Sequence, residues 1–373
     1  MSRSTRSSAV AVVLAAALLS PLVAAGCSKA ASKTIAAATP TTKPPAPTTT
    51  VPHGPPYPLT GLPVKSVAQL RHPAVVVKMD NSPWARPQTA INQADIVFEL
   101  LVEGITRYAL VYGSDLPTVV GPVRSARSSD IDLLAGLGRP LLAWSGANPT
   151  VTNQVEAAAR AGLLVDASRG ANPPEYWRDL SRQAPHNLYT NLPMLLSMFG
   201  GGSKTPPQAI LPFARAGTPL PPTAHAAAGV TINFGDGVAA QYVWDAKRKG
   251  WARYQIDQLH DLAHSATLDS AGLQVAPPSV VVLFLHYGVS VADPKSPQAM
   301  STGAGTGEVF TEGREVDINW SRPGHTNSFR FSTRTGQPFA LPPGRTWVAL
   351  PQVGATVTAM TPAVARGWLA IRS

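Results

Sequence analysis

The ten residues Gly121-Pro122-Val123-Arg124-Ser125-Ala126-Arg127-Ser128-Ser129-Asp130 set two arginines three positions apart, a serine between them, and a helix start behind them. Guanidinium groups are planar, permanently charged donors matched to phosphate and carboxylate, and the free amides of a helix N-terminus favour the same ligands. The chemistry this pattern points to is the gripping of an anion. The same arginines can instead pair internally, with Asp130, Asp132 or a distant acid, as charged clusters commonly do.

The other residues able to share such a site are Asp80, Asn81, Arg86, Asp95, Glu99, Glu103, Arg107, His186 and Asn187. A nucleophilic reading is also open: Ser125 attacks, His186 acts as base, and Glu99 or Asp95 orients the imidazole. The pair His260 and His264 has the four-residue spacing of a zinc-binding helix face. Asp261 stands where the general-base glutamate would be, and the surrounding texture is strand and turn, so no metal and no cofactor are expected. Neither a G-x-S-x-G elbow nor a phosphate-binding G-x-x-x-x-G-K-[ST] loop occurs, and Gly303 to Gly307 reads as a loop.

Positioning these residues requires strands on either side of them. Val75 to Met79 reads as a buried strand ending in the polar turn Asp80-Asn81-Ser82-Pro83. Asp95 to Leu101 alternates, with Ile96, Phe98 and Leu100 on one face and Asp95, Val97 and Glu99 on the other. Ile105 to Tyr112 is a third strand, and Val102-Glu103-Gly104 fits a three-residue hairpin loop. In that register Leu101 faces Ile105 and Glu99 faces Arg107, a cross-strand ion pair. A short helix follows the arginines, capped by Ser129 and running through Leu137. Leu141 to Trp144 is a strand, and a helix is framed by Asn148 as cap, Pro149 at its first position and Gly162 at its end. Residues 175–179 and 184–189 read as polar, aromatic loops of the kind that line clefts.

The whole sequence divides by texture into a leader at 1–26, an anchor and Pro/Thr-rich tether at 27–58, an α/β domain at 59–200, a Gly/Pro-rich linker at 201–228 and a mainly antiparallel β domain at 229–373. The leader has Arg3 and Arg6, an apolar run from Val10 to Ala25, and Ala24-Ala25-Gly26-Cys27 at its end, which resembles the lipobox of bacterial lipoproteins. By that resemblance Cys27, the sole cysteine, is lipidated, and the protein is held on the extracytoplasmic face of the cell membrane. Of 31 basic residues, Arg3 and Arg6 leave with the leader, so 29 face 21 acidic residues. That surplus suits anionic headgroups or wall polymers, and its scatter gives no nucleic-acid footprint.

Lys78-Met79-Asp80-Asn81, Ala85-Arg86-Pro87-Gln88, Ala94 to Glu99, Val102 to Arg107, Gly121 to Arg127 and Pro185-His186-Asn187 together resemble the YerB-type family of bacterial lipoproteins, DUF3048. Trp244-Asp245, Tyr254, the strand at Val280 and Gly305 to Trp320 are similar to that family's C-terminal domain. The resemblance implies relatives and an address, and it carries no reaction. A shorter likeness, from Ala94 to Arg127, is to the LytR-CpsA-Psr enzymes, which move glycan polymers from polyprenyl carriers onto the wall; there an Arg-containing loop grips pyrophosphate.

Three functions are therefore expected. The first is binding of an anionic glycan, lipid phosphate or peptide of the envelope near Arg124 and Arg127. The second is transfer or hydrolysis of a lipid-linked wall polymer in the same cleft, and the third is a structural or assembly role without a ligand.

Overall fold

The computed structural model describes residues 54–168, 174–235, 237–257 and 262–371. The leader, Cys27, most of the tether with His53, and His260 lie outside the described residues; His264 falls in the strand Leu262–Ala266.

Strand β1 (Val75–Met79) lies between β3 (Ile105–Tyr112), to which it is antiparallel, and β4 (Leu141–Ala143), to which it is parallel. β3 pairs antiparallel with β2 (Ile96–Val102), and β2 pairs in parallel with Thr346–Leu350 from near the far end of the chain. Next to Thr346–Leu350 comes Ser279–Leu283, then the hairpin of Gly303–Thr311 and Arg314–Arg322. A 12-stranded sheet thus passes without a break from residues near 75 to residues near 350. A separate 5-stranded antiparallel sheet holds Gly229–Gly235, Val238–Asp245, Gly250–Asp257, Leu262–Ala266 and Val357–Ala359.

The alternation along β2 comes out as its sequence predicts. Ile96, Phe98 and Leu100 join one apolar cluster with Leu133, Leu134, Val151 and Val155 from helices α1 (Ser128–Ala135) and α2 (Pro149–Arg160). Val97 and Leu101 join a second with Val230, Phe234, Tyr242 and Trp251 of the 5-stranded sheet. Every residue of β2 is buried, since helices cover one face and a second sheet covers the other. The body is strand-rich, with four α-helices among the described residues.

Both helix frames follow local chemistry. The Asn148 side chain accepts from the Val151 amide at 3.0 Å, Pro149 opens α2, and Gly162 lies just past its end with φ +74°. At α1 the cap is Arg127 and not Ser129: the Asp130 carboxylate reaches back to the Arg127 amide at 2.7 Å. The other Asp130 oxygen meets Lys78 Nζ at 2.6 Å, so a fully buried ion pair fixes the helix start against β1.

The β2–β3 register is displaced by one residue from the expected one. Leu101 faces Thr106, Leu100 faces Arg107 and Glu99 faces Tyr108, because the turn has two residues, Glu103 and Gly104, with Gly104 at φ +69°. Glu99 therefore has no cross-strand Arg107. It lies on the other face of the sheet, where Arg253 of the strand Gly250–Asp257 meets it at 2.7 Å, both side chains wholly buried. Tyr242 Oη, Trp347 Nε1 and Thr106 Oγ1 complete the carboxylate, and the guanidinium packs 4.8 Å from the Trp347 ring.

Gly303 to Gly307, read as a loop, is instead the first half of a nine-residue strand. A Cβ at Gly307 would come within 2.4 Å of the Val282 carbonyl, and one at Gly305 within 2.8 Å of the Trp320 indole. These glycines let neighbouring strands and rings approach closely. Residues 201–228, read as a linker, run against the body: Ile210 and Leu211 are core residues, Phe213 bridges to Leu341, and His225–Ala226 pairs with Arg314–Arg322. Residues 176–178 and 188–190, read within loops, form a small antiparallel ladder.

Two outcomes follow from this packing. Arg253→Met should destabilise the body by about 3–5 kcal/mol in urea unfolding, because it strands the Glu99 charge, and Glu99→Gln added to it should restore much of the loss; a loss below about 1 kcal/mol would deny the pair that role. The Glu308 carboxyl is pushed up to about 7, by burial first and then by Glu315 and Asp317. A raised carboxyl favours the protonated folded state, so its contribution is full below the ordinary value of 4.5 and is lost as pH rises through about 7. Thermal melts across that window should fall with pH in the native protein and flatten in Glu308→Gln.

Candidate functional site

β1 ends by delivering Asp80 and Asn81 to opposite sides of the sheet. Asp80 turns to the α1 side. Its Oδ1 accepts the Ser82 amide at 3.0 Å, an Asx turn set by the two-residue spacing. Its Oδ2 takes Arg124 Nε at 3.1 Å and His186 Nδ1 at 2.7 Å. Burial pushes the Asp80 pKa up, but the Ser82 amide, His186, Arg124 and Arg107 together outweigh it and hold the carboxyl below its ordinary value. Asn81 faces the second sheet, giving Nδ2 to Thr106 Oγ1 at 2.7 Å and to Gln255 Oε1 at 3.3 Å. Arg86 returns to this turn, with Nη2 on the Asn81 carbonyl at 2.7 Å.

The loop from Gly121 to Arg127 lies between β1 and the strand Leu188–Thr190. The Val123 amide bonds the Leu188 carbonyl at 2.6 Å, and the Arg124 amide bonds the Lys78 carbonyl at 2.7 Å. Gly121 is required there, because a Cβ would strike the Leu188 carbonyl at 2.7 Å. This placement brings His186, some sixty positions later, onto Asp80. Asn187 closes its own loop, accepting Arg178 at 2.6 Å and donating to the carbonyls of Asp179 and Arg182.

Arg127 makes a two-pronged pair with Glu103 of the β2–β3 turn, Nε and Nη2 each 2.7 Å from a carboxylate oxygen. Glu103 is held below its ordinary pKa; burial opposes this, and Arg127 outweighs it. Arg107, on β3 beside Lys78, is 4% exposed, and its Nε and Nη1 have no hydrogen-bond partner. Its one ion pair among the described residues is a long contact of Nη2 with Glu103, at 3.9 Å. Burial, then the field of Arg127, pulls the Arg107 pKa down to about 10. Arg124 is 26% exposed and offers its outer guanidinium edge beyond the Asp80 contact.

A small polar cavity of about 170 Å³ opens next to this cluster. Ser125, Arg127, Ser128 and Asn148 line it from one side, and Ser290, the acidic Asp293 and Ser296 from the other. The structure thus gathers Asp80, Glu103, Arg107, Arg124, Ser125, Arg127 and His186, with Asn81 and Arg86 at the adjoining turn. Asp95 is not among them: it lies before β2, at the opposite end from Glu103, with its carboxylate on the Ser114 amide at 2.7 Å and on the Ser114 hydroxyl. Glu99 is inside the core.

The serine–histidine reading changes hands. Ser125 has no contact with His186; Ser82 Oγ lies 2.9 Å from His186 Nδ1, the nitrogen that Asp80 also holds. Asp80 there favours a proton on Nδ1 and leaves Nε2 as the basic atom, while Ser82 stands on the wrong nitrogen to be activated. Ser82, Thr106, Gln255 and Arg253 were not singled out by sequence. The Asp-x-Ser spacing at Asp80 was a visible signal for Ser82, whereas nothing local marked the last three.

One group of carboxylates can hold a metal among the described residues. Glu308, Glu315 and Asp317 lie across the hairpin Gly303–Thr311 and Arg314–Arg322, with ligand atoms within 4.8 Å of one another.

Comparison with known proteins agrees with this architecture. Residues 59–203 match the family model described as "Protein of unknown function (DUF3048) N-terminal domain", and residues 230–348 match its C-terminal counterpart. The chain is similar to the "Putative lipoprotein YerB" of Bacillus subtilis (strain 168), 27% identical over 298 residues, covering 78% of this chain and 84% of that protein. The crystal structure of YerB protein from Bacillus subtilis superposes with a TM-score of 0.67 at 24% identity, covering 81% of this chain and 98% of that one. That solved chain consists almost wholly of the shared body, so in that relative a body of this extent folds by itself. With both models matched in order over most of its length, the chain belongs to the DUF3048 family.

Proposed function

We propose that the protein is an outward-facing lipoprotein of the cell envelope that binds an anionic envelope ligand, a glycan, lipid phosphate or peptide, at the Arg107–Arg124–Arg127 cluster. One observation carries the reading: Arg107 is buried with two guanidinium nitrogens unpartnered. A buried unpaired donor costs about 1–3 kcal/mol, more when charged, so a fold that keeps one next to two further arginines has a use for it. An incoming anion would supply the missing acceptors, with Arg124 at the entrance and Ser125 within reach. The pairs Arg124–Asp80 and Arg127–Glu103 hold the arginines in place and leave Arg107 the least compensated of the three, with only its long contact to Glu103.

The envelope address rests on the Gly26-Cys27 motif and on the similarity to a protein named as a lipoprotein. No helix among the described residues is long and apolar enough to cross a membrane.

A transferase or hydrolase acting on a lipid-linked wall polymer is the second reading, favoured by the Asp80–His186 contact. In that case His186→Gln would abolish turnover of a bound precursor while leaving its affinity nearly unchanged. The test of binding is calorimetric titration of residues 54–373 with pyrophosphate and with a soluble lipid-linked wall precursor. Arg124→Ala/Arg127→Ala should weaken binding at least about ten-fold, as loss of charge-assisted bonds to an anion requires. Equal binding by both proteins, or none by either, removes the anion site. For the anchor, Cys27→Ala should move the protein from the membrane fraction to the medium, and unchanged retention would contradict lipidation.

A further inference from the structure

At the other end of β2, roughly 20 Å from the arginine cluster at ~3.3 Å per residue, lies a cleft of about 690 Å³. Its wall is apolar: Ile91, Val97, Val275 and Trp347, with Pro277 and Pro343. Lys65, Arg248 and Arg345 also line it, and no aspartate or glutamate does. Arg248 is engaged by Gln274 at 2.6 Å and Asp245 at 3.5 Å. Neither Lys65 nor Arg345 has a carboxylate within salt-bridge distance among the described residues, and the charge that acts on Arg345 is the buried Asp95 carboxylate, which Ser114 of the lining holds. The Tyr57 hydroxyl, also at the lining, is buried and has no hydrogen-bond partner.

We propose that this cleft is a second, separate binding site, for a single-chain amphiphile whose apolar tail lies along the Ile91–Val97–Val275–Trp347 wall and whose anionic head meets Lys65 and Arg345. The volume lies within the usual range for small-molecule sites, and such sites pair an apolar lining with a few polar groups that fix orientation. All the charged side chains at the lining are positive, and with Asp95 behind Ser114 offsetting part of the Arg345 charge, Lys65 contributes most to favouring an acidic head over a cationic one.

The site is independent of the proposed arginine cluster, and its test keeps the two apart. The probe is dansyl-undecanoic acid, titrated by fluorescence into residues 54–373. Dodecanoate and dodecyl phosphate compete as the two head chemistries, and dodecanol and inorganic phosphate as tail and head alone. The expected result is probe binding displaced by dodecanoate, dodecyl phosphate or both, with dodecanol and inorganic phosphate each at least about ten-fold weaker. Lys65→Glu/Arg345→Glu should weaken the probe at least about ten-fold, while Arg124→Ala/Arg127→Ala leaves it unchanged. Far-UV circular dichroism checks the fold of each, and the single Lys65→Glu, at an exposed position, gives the same reading should the double variant unfold. Absence of probe binding, equal displacement by dodecanol or by inorganic phosphate, indifference to the Lys65 and Arg345 changes, or loss of binding in the Arg124/Arg127 variant would each overturn the proposal.

Discussion

The buried pair of Glu99 and Arg253 is the constraint on which the arrangement depends. Two opposite charges with no water between them must meet in good geometry, since the desolvation of either alone costs several kcal/mol. Here every acceptor and donor is placed. Glu99 receives Arg253, Tyr242, Trp347 and Thr106, and the guanidinium also reaches Thr267 at 2.8 Å. Those partners come from β3, the strand Thr346–Leu350, the 5-stranded sheet and Thr267, just past its edge strand. The pair therefore fixes how the second sheet sits on the first, and a shift of either by one residue would leave a naked charge.

From that point the network extends outward to the surface. Thr106, bonded to Glu99, also receives Asn81, and Asn81 neighbours Asp80, which holds Arg124 and His186. The sheet thus carries a neutralised interior charge on one side and an incompletely partnered one on the other. On the α1 side Lys78 and Asp130 cancel each other, while Arg107 next to them on the sheet does not find its equal. For the proposed anion site this support matters, because donors that are already oriented lose little freedom when a ligand arrives.

Much of the central sheet was legible in the sequence. The strands at Val75–Met79 and Ile105–Tyr112, the two-faced pattern of Ile96 to Leu101, and the Asn148-Pro149 start of α2 are set by contacts within a few residues, and local rules capture such contacts. The hairpin register was not legible, because one residue in the turn decides it and both loop lengths suit a glycine before Ile105. Gly303 to Gly307 misled for a related reason: glycine favours loops by its own freedom, and only the Trp320 ring and the Val282 carbonyl make it necessary in a strand. Ile210 and Leu211 were hidden in Gly/Pro-rich surroundings that read as linker.

The candidate site divides in the same way. By itself the sequence determined the lipoprotein-like leader, the family, and a loop in which Arg124, Ser125 and Arg127 precede a helix, since all of these are written in neighbouring residues. Tertiary structure decided which charges are spent and which remain. Glu99 went to Arg253, more than a hundred and fifty positions away, Arg127 to Glu103, and His186 to Asp80, whereas Arg107 was left buried without a full set of partners. The reason is physical: a charge's role depends on what lies within a few ångströms of it, and in a sheet assembled from distant parts of the chain those neighbours are fixed only when the sheet closes.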